Sequence, residues 1–147
     1  MMKILLLFVS LLIPPVFVNA QKASEGKAIV YVYSLATTTT IGRIRKPVFL
    51  DAAEIAEIRP EHYFIALVDP GKHSIHLKNK KFGGIEKEFA AGSTYYIRME
   101  WRNNGIAVVP QNITLVSTES GEFDIKQIKP VDKDNIKDAK IVVLKLD

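Results

Sequence analysis

At 147 residues the chain has the length of one domain, and it can bury roughly two-thirds of its unfolded surface, enough for a core without covalent staples. Hydrophobic residues make up 48% and charged residues 24%, which excludes both a disordered polyelectrolyte and a membrane-embedded chain. The 20 Lys and Arg are scattered among 16 Asp and Glu, which argues against a nucleic-acid surface, and the lack of cysteine excludes disulfides and thiol chemistry.

The first twenty residues, MMKILLLFVSLLIPPVFVNA, place Lys3 before an apolar run from Ile4 to Ile13 that breaks at Pro14-Pro15. That order is the pattern of a secretory signal peptide, with Val18 and Ala20 meeting the small-residue rule at the cut. The run is too short for a spanning helix, which needs about 20 apolar residues. The expectation is therefore an exported protein, periplasmic or secreted, not lipidated and not membrane-spanning once matured. Cleavage after Ala20 removes Lys3 and leaves 19 basic against 16 acidic residues.

Residues 27–33, KAIVYVY, are apolar on both faces and predict a central strand covered on both sides. Ser34 to Lys46 holds Thr37 to Thr40, Gly42 and a basic cluster, and reads as an exposed connection or a ragged edge strand. Pro47–Asp51 and Glu54–Ile58 predict two strands joined by a turn at Asp51-Ala52-Ala53, with a short helix as the alternative for the second. His62–Val68 is a strand apolar on both faces, and Asp69-Pro70-Gly71-Lys72 carries the Pro and Gly of a type II turn. In the return strand His73, Ile75 and Leu77 share one face and Ser74, His76 and Lys78 the other.

Asn79 to Gly84, with the cluster Lys78–Lys81, is a polar loop, followed by a short strand in which Ile85, Lys87 and Phe89 alternate with Glu86 and Glu88. After Ala91-Gly92-Ser93, the segment Thr94–Trp101 has the cleanest two-residue period in the chain. Tyr95, Ile97, Met99 and Trp101 point one way, and Tyr96, Arg98 and Glu100 the other. Asn103-Asn104-Gly105 signals a hairpin into Ile106–Val109. Gln111–Val116 reads as a further strand after Pro110, Ser117–Glu122 as a break, Phe123–Ile128 as a helical turn or strand, and Lys129–Asp138 as a loop. Ile141–Leu144 is a last apolar run.

In their order and spacing, GKAIVYVY (26–33), PVFLDAAEIAEI (47–58), YFIALVDPGKHSI (63–75) and FAAGSTYYIRMEW (89–101) resemble DUF2846, a family of uncharacterised bacterial domains. The resemblance implies an antiparallel β-sandwich, similar to transthyretin-like or immunoglobulin-like domains, in exported proteins of unassigned activity, and it implies no catalytic residues. Two departures stand out: Ala52 where similar proteins often carry Gly, and no Cys for lipid anchoring. The strand pattern read on its own leads to the same all-β class, with seven to nine short strands in a domain over residues 21–130. Residues 131–147 form a C-terminal extension that includes a candidate extra edge strand.

Few residues suggest chemistry. His73 and His76 fall on opposite faces of a strand, so with His62 they make no metal site, and neither metal nor cofactor is expected. Glu86 and Glu88 share a face but flank Lys87, as a solvated surface does, and no G-x-S-x-G, S-x-x-K or P-loop motif supports an enzyme. Tyr63, Tyr95, Tyr96 and Trp101 are the aromatic residues able to stack on a sugar or peptide, and Tyr95 and Trp101 belong to the apolar face of their strand. Tyr96, beside Arg98 and Glu100, is then the best exposed binding candidate. These readings lead to an exported, non-enzymatic sandwich that binds an envelope or extracellular protein through sheet edges or loops, with a carbohydrate-binding module using exposed aromatics as the alternative.

Overall fold

The computed structural model describes residues 25–35, 44–78, 83–103 and 108–146. The signal peptide over Met1–Ala20, the threonine run Thr37–Thr40 and the turn residues Asn104 and Gly105 lie outside the described residues.

Ten strands and one short helix make up the described chain: β1 (Ala28–Ser34), β2 (Lys46–Leu50), β3 (Ala53–Ile58), β4 (His62–Val68), β5 (Gly71–Leu77), β6 (Gly84–Phe89), β7 (Thr94–Asn103), β8 (Val108–Val116), α1 (Thr118–Ile125), β9 (Lys129–Pro130) and β10 (Val142–Val143). They form two sheets, one ordered β10-β4-β1-β7-β8 with β9 also on β4, the other ordered β3-β2-β5-β6. The all-β sandwich expected from the strand pattern is what forms, with slightly more strands than seven to nine. Pairing is antiparallel except for β1 with β7 and β4 with β9, which run parallel.

The alternation of each strand builds the core. Val30 and Val32 from β1, Phe64, Ala66 and Val68 from β4, and Ile97 and Met99 from β7 turn inward from the larger sheet. Val48, Ile55, Ile58, Ile75, Leu77 and Phe89 meet them from the smaller one. Every one of these is almost fully buried, and apolar burial of this kind stabilises by about 1.5–3 kcal/mol per large side chain.

Two of the turns join strands of different sheets instead of closing hairpins. The Asp69-Pro70-Gly71 turn joins β4 to β5, which lie in different sheets, and the Ala91-Gly92 turn carries β6 of the smaller sheet into β7 of the larger. Both are corners of the sandwich. Gly71 (φ 129°) and Gly92 (φ 73°) hold backbone conformations that a side chain disfavours, which suits a sharp change of sheet. The Asp51-Ala52 turn does close a hairpin, and residues 53–58 form strand rather than helix.

The tail of the chain completes the larger sheet. β8 runs unbroken through Pro110, because Pro110 lies on an edge strand opposite Trp101, next to a register shift at Glu100/Trp101 where a missing N–H costs little. Ser117 caps α1, its hydroxyl accepting from the Ser120 amide at 3.3 Å, so the stretch read as a break starts a helix instead. Beyond it, β9, a 3₁₀ turn at Lys133–Asn135 and β10 follow, with β9 and β10 pairing with β4 and burying Val131 and Val142. Val142 and Val143 of the last apolar run form β10, at the edge of the larger sheet beside β4.

Candidate functional site

The outer face of the larger sheet is where Tyr96, Arg98 and Glu100 come together, as the alternation of β7 required. Register places Tyr31 beside Tyr96 and Tyr33 beside Arg98 on this same face. From β4, Tyr63 stands across from Tyr33. The three rings of Tyr63, Tyr31 and Tyr96 form a ladder over three adjacent strands: Tyr31 stacks on Tyr96 at 4.9 Å and 11°, and Tyr63 tilts against Tyr31 at 6.2 Å and 44°. Such cross-strand aromatic pairs stabilise a sheet.

Helix α1 covers the Tyr96 end of the ladder. A Cβ on Gly121 would lie 2.1 Å from Cγ of Tyr96, so the helix can sit this close only because residue 121 has no side chain. Tyr96 is left 6% exposed. The expectation of an exposed aromatic at Tyr96 is overturned, and the residues that overturn it lie more than twenty positions downstream. The conspicuous exposed aromatic among the described residues is Phe123, 67% exposed, on α1 itself.

Asp124 fixes the helix to the sheet. The Tyr33 hydroxyl donates to Asp124 Oδ2 at 2.6 Å, Arg98 Nη1 lies 3.5 Å from the same oxygen, and Arg98 Nη2 donates to Glu100 Oε1 at 3.1 Å. Burial first, then the hydrogen bond to Asp124, push the Tyr33 phenol above its ordinary range. Burial likewise raises Tyr31 and Tyr96, with help from neighbouring Glu122. Each phenol therefore stays protonated at neutral pH, a donor and not a base. Arg98 and Glu100 keep side-chain exposures of 31% and 42%, so their outer edges reach solvent while their charges are committed to each other and to Asp124.

A second polar centre lies at the β2–β3 turn, and the sequence offered no pattern for it. Asp51 holds a left-handed conformation (φ 53°), a strained one that Asp tolerates better than most residues. His73 Nδ1 donates to Asp51 Oδ2 at 2.7 Å, and the Ser74 amide donates to Oδ1 at 2.9 Å. His76, on the other face of β5, places Nε2 at 2.8 Å from the Asp51 carbonyl and Nδ1 at 2.8 Å from the Leu77 carbonyl, with its ring stacked on Phe49. The two histidines diverge from their strand, as alternation required, yet one turn residue holds both. Burial opposes ionisation of Asp51, but His73 and the Ser74 amide outweigh it and hold the carboxyl below its ordinary value.

His62 lies elsewhere, near the start of β4. Arg59 Nε can only donate and the Pro60 carbonyl can only accept, so His62 carries its proton on Nδ1, which donates to Pro60 O at 2.7 Å, while Nε2 accepts from Arg59 at 3.1 Å. Arg59 Nη2 also binds Asp132 Oδ2 at 3.0 Å and so ties this corner to the C-terminal segment. Among the described residues no three His, Asp or Glu side chains come together to hold a metal ion. Glu86 and Glu88 are both exposed on the smaller sheet, Glu86 paired with Lys72, while Lys87 lies on the inner side 5.3 Å from the Tyr95 ring centroid.

No curated protein and no solved structure matches the chain. Residues 24–112, more than half of it, match the profile of DUF2846, a family described as protein of unknown function, and the chain belongs to that family.

Proposed function

We propose that the protein is an exported, non-enzymatic β-sandwich that binds a protein of the cell envelope by strand addition along β8. The observation that carries this reading is a comparison of the sheet edges. Among the described strands β8 pairs with β7 alone, and its nine residues, VVPQNITLV, include no charge. Each other described edge has the protection that natural sheets use against pairing: β3 carries Glu54 and Glu57, β6 carries Glu86, Lys87 and Glu88, and β9 and β10 are two residues long each. An uncharged open edge offers main-chain groups for affinity and alternate side chains for selectivity, and Leu115 on it is 44% exposed. The carbohydrate-binding alternative loses its main support with the burial of Tyr96.

The test is capture from envelope extract, identification of the bound protein, and titration of its purified form. Binding lost in Leu115→Pro supports strand addition. Glycan binding lost in Tyr96→Ala supports the carbohydrate module instead, and turnover of generic ester, peptide or glycoside substrates overturns the non-enzymatic reading. Export is tested by mass spectrometry of the mature N-terminus, where intact Met1 on soluble cytoplasmic protein overturns it.

A further inference from the structure

We infer that the strand which adds to β8 is β8 of a second copy, pairing antiparallel about a two-fold axis at Thr114; this rests on the reading of β8 as an interaction edge. Hydrogen bonding within the strand shows which groups face outward. The Ile113 amide donates to the side-chain oxygen of Asn112 at 3.0 Å, so it is not used in the ladder with β7, although Ile113 stands opposite Met99. In an antiparallel pair such positions alternate, and Leu115, opposite Ile97, therefore also turns its N–H and C=O to the open side.

These two residues, flanking Thr114, are self-complementary. With the axis at Thr114, Ile113 of one copy faces Leu115 of the other, and the pair exchanges both main-chain hydrogen bonds; the symmetric pair does the same. The Ile113 donor passes from Asn112 to the Leu115 carbonyl of the second copy, and each half-exposed Leu115 gains an apolar neighbour. Asn112 falls opposite Val116, so no charge meets a like charge. Self-pairing places identical sequences together, and any charge at the axis would oppose itself, which is why the charge-free strand suits this partner and β3 and β6 do not.

One feature of Thr114 points the same way. Its Oγ1 is buried and has no hydrogen-bond partner within the described chain. A χ1 rotation that turns this oxygen out of its enclosed position towards a second Thr114 would give it the threonine pairing that cross-strand neighbours form.

The experiment is sedimentation equilibrium of the purified chain and three variants. The expected result is a dimer for the wild type. Leu115→Pro removes a donor that β7 does not use, and Thr114→Lys places like charges at the axis; each is expected to weaken dimerisation at least about tenfold, with unchanged circular dichroism. Mixing Thr114→Lys with Thr114→Asp is expected to restore a heterodimer, which a folding defect cannot imitate. A monomeric wild type that still captures an envelope protein through Leu115 overturns the second-copy inference and leaves strand addition standing. A monomer whose captured partner is indifferent to Leu115→Pro overturns both, and a dimer unaffected by every β8 variant overturns this interface.

Discussion

The hydroxyl of Tyr33 donates to Oδ2 of Asp124 at 2.6 Å, across 91 positions of sequence, and this contact joins the central strand to the only α-helix of the described chain. Both residues are buried, so the loss of either leaves the other with an unsatisfied polar group. Tyr33→Phe is expected to cost about 1–3 kcal/mol by urea denaturation, with Asp124 left to Arg98 alone. Replacing Asp124 by Leu in the same chain should cost less than the two single changes summed, because the stranded partner is then gone. A strictly additive double variant would show that the contact is not energetically coupled.

Gly121 is the second condition for helix docking. In an ordinary helix Gly→Ala adds stability, by up to about 1 kcal/mol. Here the new methyl meets the Tyr96 ring, and Gly121→Ala is expected to destabilise by about 1–3 kcal/mol through overpacking. Adding Tyr96→Leu to Gly121→Ala should recover part of that loss, because it removes the ring atoms the methyl strikes. Thermal unfolding of the four proteins measures both effects, and a stabilising Gly121→Ala would contradict the close approach.

Acid should weaken the fold through His62. Burial chiefly, together with Arg59 and Lys129, lowers its folded pKa below the ordinary 6.5, while the Pro60 carbonyl and Asp132 pull the other way. The unfolded chain therefore takes up this proton at higher pH than the folded one. Stability attributable to His62 is full above 6.5 and falls as pH drops from there towards the lower folded value, with a slope of at most about 1.4 kcal/mol per pH unit. Urea denaturation between about pH 7.5 and pH 5 reads it, and His62→Gln is expected to flatten the dependence.

Asp51 titrates in a separate window. Its carboxyl is held below 3.8, so its contribution is full above that value and is lost only as pH falls through the lower folded value. At neutral pH, Asp51→Asn retains tolerance of the left-handed backbone and an acceptor for Ser74, while Asp51→Ala retains neither. The expected order of loss is Ala above Asn, with Ala costing about 1–3 kcal/mol. Equal losses would show that neither the turn conformation nor the Ser74 amide matters.

Much of the architecture was legible because strand alternation is a local property. The sorting of Ile75 and Leu77 from His76, or of Ile97 and Met99 from Tyr96 and Arg98, follows from which way consecutive side chains point, and each falls on the face its position required. Apolar character on both faces of β1 and β4 likewise marked the interior of the larger sheet before any pairing was known. The candidate site was less legible. Tyr96, Arg98 and Glu100 do share a face, but whether that face meets solvent depended on α1, whose weakly amphipathic sequence, TESGEFDI, hides a helix that docks through Gly121 and Asp124.

The sequence by itself determined where strands run and where the chain turns, since period-two patterning, Pro and Gly act over a few residues. Only the tertiary structure decided what each turn joins. A turn at Asp69-Pro70-Gly71 closes a hairpin or rounds a corner with the same residues, and the choice lies with long-range burial, which here sends β4 and β5 to different sheets. The same physics buried Tyr96: a ring is exposed or buried according to what packs on it, and what packs on it is α1, more than twenty positions downstream.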